Sequence, residues 1–223
     1  MRVRALASDY DGTLATDGTI PAGTIAALVR LAGSGRRLVL VTGRVLAELR
    51  HVCPRLEMFD VVVAEDGAVM TRPRFGLVQR FGPPPPPALV SSLSQRDVQP
   101  LVVGEVLIGT TRAHEATVRE QIAALELALE VHLNKSSLMV LPPGVDKGTG
   151  VKRALRELGV DPLRVAAVGD GENDQPLLRA CGIRVAVANA AESLKPLAAF
   201  VTSQSNGQGM VELIDRIIRT DLR

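Results

Sequence analysis

Four short segments of this chain carry side chains that could do chemistry together. Asp9-Tyr10-Asp11-Gly12-Thr13-Leu14 offers two carboxylates. Thr42-Gly43-Arg44 offers a hydroxyl, a flexible amide and a guanidinium, Lys147 an ammonium, and Gly169-Asp170-Gly171-Glu172-Asn173-Asp174 an acidic loop. Jointly they suit the movement of a phosphoryl group with a divalent metal, a reaction that needs positioning and charge neutralisation above all.

Asp9 and Asp11 are two residues apart, so on an extended chain both carboxylates face one side. Carboxylates that close repel, and a bound Mg²⁺ or a proton on one of them relieves the repulsion. An ionised Asp can then act as nucleophile and a protonated one as general acid. Gly12 permits an unusual turn after them. The competing reading is a plain surface turn, where Asp-Gly is common. A calcium loop of the EF-hand type is a poor fit, because Leu14 stands where its glycine and Ile20 where its glutamate would be needed.

The Thr42 hydroxyl and Gly43 amide are placed to hold a phosphate oxygen. Thr42 also reads as the cap of a Gly43–Arg50 helix, a compatible role because helix N-termini attract anions. Arg44 either adds charge or is solvated. Lys147 opens a helix, where a cation opposes the dipole, so an anionic partner is expected. Asp146 beside it either weakens or orients it. The 169–174 loop mimics a dinucleotide-binding turn, yet three acids would repel a pyrophosphate. An acidic loop suits Mg²⁺ instead, with Asp170 as ligand and Asp174 as a second ligand or a helix cap.

The elements around these segments explain how they can meet. Val3–Ser8, Leu38–Val41, Val61–Ala64, Val165–Val168, Val185–Val187 and Phe200–Thr202 read as buried strands. Helical patterns at Pro21–Arg36, Val45–Arg50, Gly148–Leu158, Asp174–Cys181 and Met210–Arg219 separate them. The alternation predicts an α/β fold, a Rossmann-like doubly wound parallel sheet whose strand ends carry Asp9, Thr42 and Asp170. Residues 82–143 break the pattern. Between Pro83–Pro87 and Pro142-Pro143-Gly144 lies an α-β-β-α-β-β unit, read as a small α+β domain inserted into a core of 1–81 and 144–223. The five prolines predict a stiff strut at the joint.

Aromatic residues make up 2% of the chain and Trp is absent, so the core must be aliphatic and stacking platforms for single-stranded nucleic acid are disfavoured. The net charge of +2 comes from 26 basic and 24 acidic residues with no concentrated stripe, which also argues against nucleic acid. The scattered arginines read as surface. Cys53 and Cys181 form no CxxC pair and read as buried, reduced thiols. No signal-peptide layout and no membrane-spanning run is seen, so a cytoplasmic protein, monomer or homodimer, is expected.

The four segments resemble the haloacid dehalogenase superfamily of phosphohydrolases, matching its four motifs in order. The insert lies where the Cof-like, subclass IIB branch carries its cap. It looks like the caps of small phosphoglycolate and sugar-phosphate phosphatases. The resemblance implies that Asp9 attacks phosphorus and that Asp11 protonates the leaving alcohol and then activates water. It further implies that Mg²⁺ is held by Asp9, the Asp11 backbone carbonyl and Asp170 with Asp174 in support. Thr42, Gly43, Arg44, Lys147 and Asn173 would surround the phosphoryl group of a small phosphorylated metabolite. Glu65-Asp66-Gly67-Ala68 departs from the Asn-Gly-Ala common in relatives, which puts a polar contact from position 66 in doubt. Asp11 argues against a dehalogenase, and a pump would need membrane helices. A phosphonate hydrolase would need a cap lysine, for which Lys135 is the one candidate. A phosphomutase or a silent phosphate-binding module would keep the same core. Arg112, His114, His132, Asn134 and Lys135 are the insert's polar candidates for reaching a substrate.

Overall fold

The structure is a computed structural model that describes residues 1–53 and 55–222. Its core sheet has eight strands: β1 (Ala5–Ser8), β2 (Arg37–Val41), β3 (Val61–Ala64), β4 (Val69–Arg72), β5 (Leu77–Arg80), β10 (Val165–Gly169), β11 (Ile183–Ala186) and β12 (Phe200–Val201). They lie in the order β12-β11-β10-β1-β2-β3-β4-β5. Every pairing from β12 across to β3 is parallel. β1, β3 and β10 are buried along their whole length, which is why they read as unbroken apolar runs rather than alternating ones.

Helices α1 (Ala22–Gly33), α2 (Leu46–Val52), α5 (Lys147–Leu158), α6 (Gln175–Arg179) and α7 (Asn206–Thr220) accompany the sheet. β4 and β5 were not anticipated; they pair antiparallel with β3 and with each other and finish the sheet as a hairpin. Their mixed compositions and the intervening Pro73 hide them, and Gly76 turns the chain at φ 65°. Arg36 is not a surface residue: it is 7% exposed, donating to the Val3 carbonyl and pairing with Asp221 at 2.9 Å.

The insert runs α3 (Pro87–Gln95), β6 (Val102–Val103), β7 (Ile108–Thr111), α4 (Glu115–Ala124), β8 (Glu130–Asn134) and β9 (Ser137–Leu141), the α-β-β-α-β-β order read from the sequence. Its antiparallel sheet has the order β6-β7-β9-β8. Alternate residues of β9 serve two cores. Leu138 and Val140 pack with Leu89, Leu93, Val118 and Ile122 under the insert's helices. Met139 and Leu141 pack with Val45 and Leu46 at the start of α2 and with Ala64 and Val69 of the main sheet. The second sheet is thereby laid, one face down, over the carboxyl end of the first. Pro87 opens α3, and Pro86 before it sits near polyproline geometry at φ −61°, ψ 122°.

Candidate active site

β10, β1 and β2 are neighbours, so Asp170, Asp9 and Thr42, each just past its strand, come to one edge of the sheet. Lys147, at the start of α5, reaches in between. It is 1% exposed, and its Nζ donates to Asp9 Oδ1 and Asp174 Oδ1, both at 2.6 Å. Asp174 does not cap α6. Its other oxygen accepts from the Asp170 and Gly171 amides, each at 2.9 Å, and so fixes the acidic loop. Thr13 Oγ1 donates to Asp170 Oδ1 at 3.2 Å. Gly12, at φ 79°, lies so close beneath Asp170 that a Cβ there would overlap the carboxylate.

The position of Lys147 is set from both sides. Asp146 accepts from the Thr149 amide at 2.6 Å while its own amide donates to Thr149 Oγ1 at 3.0 Å, a reciprocal cap on α5. Asp146 therefore orients the lysine by starting its helix. Gly67, at φ 109°, lets the backbone after β3 approach the Asp146 carbonyl where a Cβ would not fit.

One oxygen from each of Asp9, Asp170 and Asp174 lies within 4.8 Å of the others. Burial pushes the Asp9 carboxyl well above its usual value, Lys147 draws it back, and Asp174 and Asp170 raise it further. Burial likewise raises Asp170, against the hydrogen bond from Lys135. Burial works against the Lys147 ammonium, yet the charges of Asp174 and Asp9 outweigh it and hold the ammonium above the ordinary lysine range. Three buried carboxylates around one fixed ammonium form a hard, oxygen-only donor set that fits Mg²⁺.

Asp11 lines the same cavity as Asp9 but is engaged by a two-pronged pair with Arg44, Nε to Oδ2 at 2.6 Å and the guanidinium's terminal nitrogen to Oδ1 at 2.8 Å. The chain turns at Gly12, so the Asp11 side chain remains 45% exposed at the cavity mouth while Asp9 sinks beneath it. Arg44 thus serves Asp11, and the Asp11 hydrogen bond raises its already high pKa. Thr42 is also reassigned locally. α2 begins only at Leu46 with no side-chain cap, and Thr42 Oγ1 instead accepts from the Arg44 amide at 3.2 Å.

A cavity of about 470 Å³ lies between the two sheets. Asp9, Thr42, Gly43 and Lys147 form part of one wall; Thr110, Asn134, Lys135 and Met139 form part of the other. Of the insert's polar candidates, Asn134 and Lys135 reach this cavity. Arg112 instead lies beside Glu115 at 3.9 Å, and His114 faces the Gln99 carbonyl at 3.0 Å.

The two acids after β3, to which the sequence assigns no role, both hold partners across the cavity's edge. Glu65 is fully buried and accepts from the Glu105, Val106 and Leu107 amides of the insert at 3.0, 2.9 and 3.0 Å. Asp66, also buried, answers the doubt over its position: it accepts from Asn173 Nδ2 at 2.8 Å and meets His132 Nδ1 at 3.3 Å. The Asp66 hydrogen bond raises the His132 pKa. Asn173 therefore lines the cavity while tied to Asp66. Both acids adopt left-handed backbone at φ 53°, a conformation that no sequence pattern here announces.

Several known proteins resemble this chain. A phosphoglycolate phosphatase of Methanothermobacter thermautotrophicus is 30% identical over 97% of this chain and 99% of its own length. Phosphoglycolate phosphatase 2 of Saccharolobus solfataricus is 40% identical over a shorter stretch, 44% of this chain and 42% of that enzyme. A crystal structure of a haloacid dehalogenase-like hydrolase from Bacteroides thetaiotaomicron superposes with a TM-score of 0.81 over 96% of this chain and 99% of that one, at 21% identity, and so shares the fold. Residues 6–79 and 90–214 match the haloacid dehalogenase-like hydrolase family, and the chain belongs to it.

Proposed function

We propose that this hydrolase is a Mg²⁺-dependent phosphatase of small phosphate monoesters, with 2-phosphoglycolate as its substrate, and that it works through an aspartyl-phosphate on Asp9. The observation that carries the reading is Asp9 Oδ1 held at 2.6 Å by a buried lysine on the floor of the cavity, with Asp170 and Asp174 beside it.

An oxygen of Asp9 attacks phosphorus and the ester oxygen leaves as the alcohol, taking a proton from Asp11. Asp11 then removes a proton from water, which attacks the phosphorus, frees phosphate and restores the Asp9 carboxylate. Asp11 is paired with Arg44, so this pair must open for each proton transfer. Lys147, the Thr42 hydroxyl and the Gly43 amide surround the phosphoryl oxygens as charge shifts. Asp9 and Asp170, with Asp174 in support, would hold Mg²⁺, which would supply further charge neutralisation. Residues 82–143 act as the cap that closes the cavity over the substrate.

The choice of phosphoglycolate rests on the end-to-end relative of that name and on a cavity without aromatic lining, which suits a small ester better than a nucleotide. Two buried free thiols accord with a reducing, cytoplasmic setting. Among the described residues no helix is long and apolar enough to cross a membrane.

Phosphate release from phosphoglycolate and a panel of sugar phosphates, compared by kcat/KM, tests the reading. Activity should require Mg²⁺ and stop in excess chelator. Asp9→Asn should lower turnover by a factor on the order of a thousand or more while keeping the fold. Equal rates in chelator would sink the metal assignment. A sugar phosphate preferred over phosphoglycolate would overturn the substrate but not the chemistry.

A further inference from the structure

Lys135 is the insert's one lysine, set in the turn between β8 and β9 at φ 53°. Its amide donates to Glu172 Oε2 at 3.1 Å, which ties the turn to the acidic loop. Its side chain crosses the cavity and pairs with Asp170 Oδ2. The two ends of this pair differ sharply: the Asp170 side chain is 3% exposed, whereas that of Lys135 is 48% exposed. The carboxylate is fixed by its surroundings, and the lysine sits on a flexible four-carbon stem in open space.

Asp170 is also one of the three acids whose oxygens converge as a cation site. A divalent ion there and the Lys135 ammonium need the same carboxylate. The Lys135 ammonium, ion-paired with Asp170, is a positive charge in a site with three carboxylates and one other ammonium, Lys147. Adding a divalent ion reverses that balance. Like charges then repel, and the mobile partner must leave, because Lys147 is locked between Asp9 and Asp174.

We infer that Lys135 is a placeholder for the divalent cation at Asp170, displaced when the metal binds and thereby freed to take a second anionic group, a carboxylate, on the phosphate ester. The substrate half of this inference rests on the phosphatase reading above; the placeholder half does not. The freed ammonium stays in the cavity because its backbone is anchored to Glu172, and that cavity is the one Asp9, Thr42 and Lys147 line. A small ester that carries a carboxylate beside its phosphate can meet it there. A neutral alcohol would gain nothing from it.

The test is Lys135→Met, which keeps the stem and removes the charge. Mg²⁺ or Mn²⁺ binding measured by calorimetry without substrate should tighten by about tenfold, the effect of losing a partly exposed competing ion pair. The loss in kcat/KM on phosphoglycolate should exceed the loss on p-nitrophenyl phosphate by about tenfold, mainly through KM. Unchanged or weaker metal binding would overturn the placeholder role. Equal losses on both esters would overturn the carboxylate role. Lys135→Arg should restore part of the substrate preference; failure to do so while Met and Arg behave alike would also count against a charge-based role. Wild-type protein inactive on every ester would refute the phosphatase reading yet leave the binding comparison intact.

Discussion

The Glu65 carboxylate, just past β3 of the core sheet, accepts the Val106 amide of the insert at 2.9 Å. The same oxygen takes the Leu107 amide and its twin takes Glu105, so one buried side chain ties down three consecutive backbone donors across 40 residues or more of chain. Glycine at 104 leaves the room for this approach, since a Cβ there would meet the carboxylate at 2.6 Å. Leu107, held this way, lines the cavity.

Glu65→Ala should therefore destabilise the protein by about 3 kcal/mol or more, because three amides lose their acceptor in a buried setting. Glu65→Gln should fall between, since the oxygen that serves Val106 and Leu107 can be kept while an amide group is turned toward the Glu105 N–H. Urea unfolding of the three proteins checks the ranking. A glutamine variant as unstable as the alanine one would show that charge, rather than acceptor count, holds the insert.

Lys147 is the sole buried cation between Asp9 and Asp174 among the described residues. Lys147→Met should cost about 3–5 kcal/mol, as expected when one partner of a buried ion pair is removed. Adding Asp174→Asn to that variant should recover part of the loss, because one unpaired carboxylate is then neutral. A double-mutant cycle in denaturant measures this, and strict additivity would contradict the direct coupling.

His132 gives the insert a pH-dependent hold on the core. Its folded-state pKa is raised, first by the hydrogen bond to Asp66, against burial, and then by the Asp66 charge and by Glu130. A raised base contributes stability that is complete below its unfolded value of about 6.5 and is lost as pH rises through the higher folded value. Melting temperature should thus fall as pH rises above the unfolded value of about 6.5, and His132→Asn should reduce that slope. The same slope in the variant would assign the effect to another group.

Gly67→Ala should impair turnover more than binding. The residue is at φ 109°, and a Cβ would strike the Asp146 carbonyl that opens α5. Moving that helix start displaces Lys147. The backbone strain itself costs about 1–3 kcal/mol. Steady-state kinetics on one ester should show kcat falling with little change in KM, in protein still folded by circular dichroism.

Much of this was legible in the sequence. Unbroken apolar runs such as Val61–Ala64 and Val165–Val168 announced strands buried on both faces, and the acidic and hydroxylic residues directly after them announced one reactive edge. The β4–β5 hairpin was not legible, because short mixed strands stabilised by an existing sheet carry little pattern of their own.

Residue types and their spacing are enough to mark Asp9, Thr42, Lys147 and Asp170 as candidates, because each follows or opens an element whose local periodicity places it. Tertiary structure decided which partner each group takes. Lys147 meets Asp9 across 138 residues of chain, and Asn173 meets Asp66 across 107. It turned Asp11 to Arg44, gave Asp174 the loop to hold instead of a helix to cap, and sent Glu65 and Lys135 across the gap between the two sheets. The physical reason is range. Periodicity and capping are read over a few residues, whereas a buried charge is assigned to whichever donors the strand order and the docking of the second sheet bring within about 3 Å.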